Sequence, residues 1–149
     1  MYHKVALAVS FMSITNTYSC EKTFAIIKPD AVQQGHTAKI IDLIKEHGFT
    51  ITQQLNTIVS RTQAETLYVD YKNKTWFNMA TEFISSGPVV LLVLQKEDAI
   101  SAWRELLGQS YPSQWGPLRV QFATSHLRNA LHGADSPEDA AKEIELFFS

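Results

Sequence analysis

Lys28, Arg104, Arg119, Asn129 and His132 are the side chains of this sequence whose types and spacing could do phosphate chemistry. Three of them are cations able to neutralise phosphate oxygens. Asn129 is an amide three residues ahead of His132, and an imidazole is partly neutral near physiological pH. No GxxxxGK loop is present and the six glycines are scattered, so phosphates, if bound, must be held by side chains. Taken singly, each of these residues is more simply a solvated surface group, and an isolated histidine beside a glycine turn is more simply satisfied by a backbone carbonyl. His3, His36, His47 and His126 keep that structural reading.

The elements that must position these groups follow from periodicity and punctuation. Thr23 to Ile27 is a β-favouring run stopped by Lys28-Pro29-Asp30, which delivers Lys28 to a strand end. TAKIIDLIKEHG reads as a helix with Ile40, Ile41, Leu43 and Ile44 on one stripe and Gly48 as its C-terminal cap. The looser alternation from Phe49 to Val59 suits a half-buried strand. Ser60 and Gln63 form a capping-box pattern opening a short helix to about Tyr71, and TWFNMATEFISSG supplies another. VVLLVLQ is a buried strand by composition. Asp98 is the expected cap of AISAWRELLG, which carries Arg104, and residues 109–117 read as an irregular surface loop. Ser136 and Pro137 open the closing helix.

This order predicts an α+β sandwich of the ferredoxin-like type, a four-stranded antiparallel sheet covered by helices, with the helices on one face. Fold alone says little about function.

With 149 residues, 45% apolar and 19% charged, the chain suits one globular domain. The formal charge of −2 argues against nucleic acid as a partner. The lone Cys20 forms no internal disulfide, no Cys/His spacing resembles a zinc site, and a reducing compartment fits. Residues 1–20 form a separate N-terminal extension ahead of a domain at 21–149. In it Lys4 precedes the short apolar stretch VALAVSFM, a weak signal-peptide pattern, and the run is too short for a membrane span. The expected location is the cytoplasm, with export through the extension as the lesser alternative.

The segments TFAIIKPDAV, SSGPVVLLVL, NALHGADS and EDAAKEIELFF resemble those of nucleoside diphosphate kinases, and the resemblance runs from Glu21 to the last residue. It implies a ping-pong transfer of the γ-phosphoryl of ATP to nucleoside diphosphates through a phosphohistidine at His132. It further implies that Glu143 holds the histidine ring, and that Lys28, Arg104 and Arg119 contact phosphates. Tyr68 and Ser110 would complete the nucleotide site, Trp76 would stack on the base, and Asn129 would bond sugar and phosphate. Mg²⁺ would come with ATP, without metal ligands from the protein, and the chain would form a homo-oligomer. The chemistry is consistent: phosphoryl transfer asks mainly for positioning and positive charge around the migrating group.

Two departures stand out. Ala134 gives HGAD where most of the family has HGSD, removing a hydroxyl able to bond Glu143, and the loop between Gly108 and Arg119 is shorter than the usual family loop. Both motivate an alternative: a low-activity nucleotide-binding or scaffold module built on the same fold.

Overall fold

A computed structural model describes residues 20–149, so the extension read over residues 1–20 lies outside the described part apart from Cys20. Strand β1 (Glu21–Ile27) pairs antiparallel with β3 (Pro88–Lys96) on one side and with β4 (Leu131–Gly133) on the other, and β3 also pairs with β2 (Thr50–Ile58). The sheet order is β2-β3-β1-β4. Helices α1 (Pro29–Gln33) and α2 (Thr37–Glu46) follow β1, while α3 (Arg61–Leu67) and α4 (Phe77–Ile84) lie between β2 and β3. Helices α5 (Ala99–Leu107) and α6 (Pro117–Phe122) precede β4, and α7 (Pro137–Phe148) closes the chain.

The central strands FAII and VVLLVL are apolar at successive positions, so both faces of the sheet need cover. On one face Ala25, Ile27, Val90, Leu92 and Leu94 pack with Ile40 and Ile44 of α2, Trp103 and Leu107 of α5, and Leu118 and Phe122 of α6. On the other, Phe24, Ile26, Val89 and Leu91 meet Ala64, Ile84 and the α7 residues Ile144, Phe147 and Phe148. Each large side chain so buried contributes about 1.5–3 kcal/mol. The α+β ferredoxin-like sandwich is as expected, but helices cover both faces where the sequence reading had one. The unbroken apolar runs were the signal for it.

Three local readings change. β2 is an edge strand, bulged between Ile51 and Gln53, and it leaves Leu55 42% and Ile58 61% exposed instead of half-buried. Asp98 does not cap α5: its φ is +52°, away from the extended geometry from which an N-cap side chain reaches the first turn. Glu21 takes over, its Oε1 accepting from the Ile100 amide at 2.8 Å. Finally, the irregular stretch ends in α6, with Pro117 at its first position after Gly116. The Ser60–Gln63 capping box and the Ser136 cap form as read, and Gly48 follows α2 with φ +85°.

Candidate active site

His132 is the middle residue of β4, opposite Ile26 of β1, and Glu143 sits one helix away on α7, which packs on β1. The two side chains are hydrogen-bonded through Nε2 and Oε1. A carboxylate only accepts, so Nε2 carries the proton and donates, and the lone pair stays on Nδ1. The ring is held edge-on by Phe24, with centroids 5.9 Å apart, and by Tyr68 at 6.2 Å. The backbone is fixed as well: Trp103 Nε1 donates to the His132 carbonyl at 3.1 Å. Gly133 lets that indole approach, since a Cβ there would stand 2.5 Å from Trp103 Cδ1.

Lys28 leaves the end of β1 with its amide donating to Ala130 O at 2.8 Å, and its ammonium donates to Asn129 Oδ1 at 2.9 Å. Asn129 Nδ2 in turn donates to the His126 carbonyl at 2.9 Å. Ala130, at φ +72°, is a left-handed non-glycine residue, and its amide donates to Asp30 Oδ2 at 3.0 Å. Burial, then the nearby Arg119 charge, pull the Lys28 ammonium down to about 7, against the opposing pull of Asp30. Burial likewise raises the Asp30 carboxyl, opposed by Lys28. Asp30 was missed as a site residue, although the turn it shares with Lys28 and Pro29 was its signal.

Arg119 is 4% exposed and spends two nitrogens on backbone: Nη1 donates to Gly108 O at 3.0 Å and Nη2 to Leu131 O at 2.8 Å. Its Nε has no partner among the described residues. Burial and the neighbouring Arg104 lower it to about 10. Arg104 donates from Nη1 to Gly133 O at 3.4 Å and pairs through Nε with Asp135 Oδ1 at 3.3 Å. The two guanidinium groups thus reach the carbonyls on either side of His132. Burial and the Glu143 charge keep the Tyr68 phenol protonated well above its usual range, so it can only donate a proton that it retains.

A cavity of about 400 Å³ opens beside the ring, lined by Tyr68, Tyr71, His132, Asp135 and Glu143 among others. His132, Glu143, Tyr68, Lys28, Asn129, Arg104 and Arg119 are therefore brought together. Trp76 and Ser110 are not joined to them directly. Trp76, 41% exposed at the start of α4, touches the site through Tyr71, whose ring centroid is 5.0 Å away. Ser110 lies in the loop, its carbonyl accepting from Trp115 Nε1 at 3.0 Å. Ala134 is buried with Ile100 and Ala140, an apolar nest that accepts a methyl group, and the His132–Glu143 bond forms without a hydroxyl there. Among the described residues no cluster of three or more His, Cys, Asp or Glu could hold a metal.

Residues 21–149 match the family profile described as nucleoside diphosphate kinase. The chain is 46% identical over 131 residues to a nucleoside diphosphate kinase of Geotalea uraniireducens, spanning 87% of this chain and 96% of that one. It is 43% identical to one of Geobacter sulfurreducens over the same shares of the two chains. Among solved structures, the nucleoside diphosphate kinase of Aquifex aeolicus superposes with a TM-score of 0.82 at 36% identity, covering 88% of this chain and 96% of its own. With the profile spanning nearly all of the described residues and these likenesses in agreement, the chain belongs to the nucleoside diphosphate kinase family.

Proposed function

We propose that the phosphoryl group moved by this kinase is carried on Nδ1 of His132. The observation that carries the reading is the division of labour on the ring: Nε2–H is tied to Glu143, and Nδ1 keeps its lone pair. In the first half-reaction Nδ1 bonds the γ-phosphorus of ATP while the bond to the bridging oxygen breaks, and ADP leaves with that electron pair. In the second, a terminal oxygen of another nucleoside diphosphate attacks the same phosphorus and the P–N bond breaks. Glu143 stabilises the imidazolium-like charge that the ring acquires on phosphorylation.

Lys28, Arg104 and Arg119 would surround the migrating group with charge, and Tyr68 would add a neutral donor. Asn129 would bond both sugar and phosphate. Trp76 would stack on the base, which predicts tolerance of base identity because every base has a π-face. Ser110 would complete the phosphate end from the loop. Mg²⁺ would enter on the nucleotide, neutralising phosphate oxygens. The intact His132–Glu143 pair speaks against a scaffold that has lost its chemistry.

The domain would be residues 21–149. Among the described residues no helix is long and apolar enough to cross a membrane. A cytoplasmic location fits the single cysteine. Among the described residues the outer edge of β2 is unpaired, and with Leu55 and Ile58 exposed it favours a homo-oligomer built by strand addition.

Incubation with γ-labelled ATP should leave acid-labile, base-stable label on the chain, and His132→Asn should abolish it. Label retained by that variant would remove His132 from the role.

A further inference from the structure

We infer that Tyr71 is a positioning residue for the Trp76 indole, held by the same turn that presents Tyr68 to His132. The inference rests on the reading that Trp76 stacks on a nucleobase, and it gives a task to a residue outside the set that the sequence pointed to.

A chain of contacts runs from the histidine ring to the indole. Tyr68 stands edge-on to His132 with centroids 6.2 Å apart, and Tyr71 packs on Trp76 at 5.0 Å with the planes 42° apart. The two tyrosines share one turn, the 3₁₀ helix Val69–Tyr71 with Tyr68 at its N-terminal end, closed by the Tyr71 amide donating to Tyr68 O at 2.9 Å. In that geometry side chains three apart eclipse one another, so both rings leave the turn on the same side. Both line the cavity beside His132.

The backbone then runs on into α4 through further tight turns. Lys74 N donates to Tyr71 O at 2.9 Å, Phe77 N to Lys74 O at 3.2 Å, and Ala80 N to Trp76 O at 3.0 Å. These bonds fix where Trp76 starts, but its indole, 41% exposed ahead of the first helical residue, keeps its rotamer freedom unless a neighbour packs against it. Tyr71 is that neighbour. Burial, then the Asp135 and Asp139 charges, push its phenol above the usual range, so the ring stays uncharged beside the carboxylates that share the cavity wall. Space on one side of the indole is thereby taken, and the side turned away from Tyr71 is left for a planar ligand. Removing the Tyr71 ring would let the indole turn while leaving Lys28, Arg104 and Arg119 in place, so the loss should fall on ligands that carry a base.

The test pairs a ligand that has a base with one that has none. Tyr71→Ala, Tyr71→Phe, Trp76→Ala and the Tyr71→Ala, Trp76→Ala double variant of the full chain are titrated calorimetrically with ADP and with inorganic tripolyphosphate. Tyr71→Ala should weaken ADP about three- to tenfold and leave tripolyphosphate within about twofold, whereas Tyr71→Phe, which keeps the ring, should bind both as the wild type does. Once Trp76 is alanine, Tyr71→Ala should change ADP binding little further, because a residue that acts through the indole has nothing left to position. Effects that add in full, equal losses for the two ligands, or unchanged ADP binding in Tyr71→Ala would each overturn the inference. A Trp76→Ala chain that binds ADP as tightly as the wild type would instead remove the base-stacking reading beneath it, and the inference with it.

Discussion

The ammonium of Lys28 and the amide oxygen of Asn129, 101 positions apart in the chain, meet at 2.9 Å in a buried hydrogen bond. That contact couples the end of β1 to the turn before β4, and it places a cation beside a second cation, Arg119, with little water to separate them.

The consequence is a pH dependence with a defined sign. The Lys28 pKa falls from 10.5 when unfolded to about 7 when folded, so between those values the unfolded chain binds more protons. Stability from this group therefore rises as pH increases from about 7 towards 10.5. Anionic ligands act in the opposite sense, since a polyphosphate favours the charged ammonium. Calorimetry of ADP binding at pH 8, in buffers of different ionisation enthalpy, should show uptake of about one proton, and Lys28→Met should abolish it. Proton release, or uptake unchanged in the variant, would place the titrating group elsewhere.

In the proposed mechanism Glu143 does two things to His132: it selects the tautomer through the bond to Nε2 and would offset charge on the phosphorylated ring. Glu143→Gln keeps a hydrogen-bonding oxygen and loses the charge, whereas Glu143→Ala loses both. Single-turnover phosphorylation by ATP should slow by about 10–100-fold in Glu143→Gln and by more in Glu143→Ala, with nucleotide affinity unchanged. Nitrogen-15 NMR of the imidazole should report one tautomer in the wild type and a mixture in Glu143→Ala. A single tautomer in both would leave Glu143 without a positioning role.

Arg104 is held at 3.3 Å by Asp135, a carboxylate whose side chain is 55% exposed. In the proposed mechanism phosphate would compete with it for the guanidinium. Exposed pairs of this kind are worth roughly 0–1 kcal/mol, so Asp135→Asn should tighten tripolyphosphate binding by no more than about fivefold. The gain should shrink at high salt. Weaker binding in the variant would show instead that Asp135 orients Arg104 for its ligand.

How much of this was readable from the chain depends on the distance over which each signal acts. The Ser60 capping box, the Ser136 cap and the glycine after α2 are local chemistry, and all three formed as read. That Glu21 serves the start of α5 in place of Asp98 was not legible, because its carboxylate lies 79 residues from the Ile100 amide it accepts from, beyond any local pattern. The His132–Glu143 and Lys28–Asn129 pairs could be expected only through the family's motifs, since nothing in the spacing of those residues requires contact. Tyr111 stacks on His126, and that contact had neither source: it joins an irregular loop to a turn, and no periodicity announces it.

Ala130 ties the turn before β4 to the end of β1 in a backbone conformation that costs energy. Its φ of +72° lies where a Cβ is disfavoured, and the residue is kept there by its amide bond to Asp30 and its carbonyl bond to Lys28. Glycine removes the steric cost without touching either bond, though it also frees the unfolded chain. Ala130→Gly should therefore raise stability by up to about 1 kcal/mol, read as an increase in the urea midpoint at constant slope. Asp30→Asn tests the support from the other side: an amide oxygen can still accept from Ala130, but the charge that offsets Lys28 is gone. The Lys28 ammonium should then fall further below 7, moving the proton-uptake window to lower pH. If the window stays fixed in Asp30→Asn, the carboxylate supports only the backbone of the turn and leaves the charge of Lys28 unaffected.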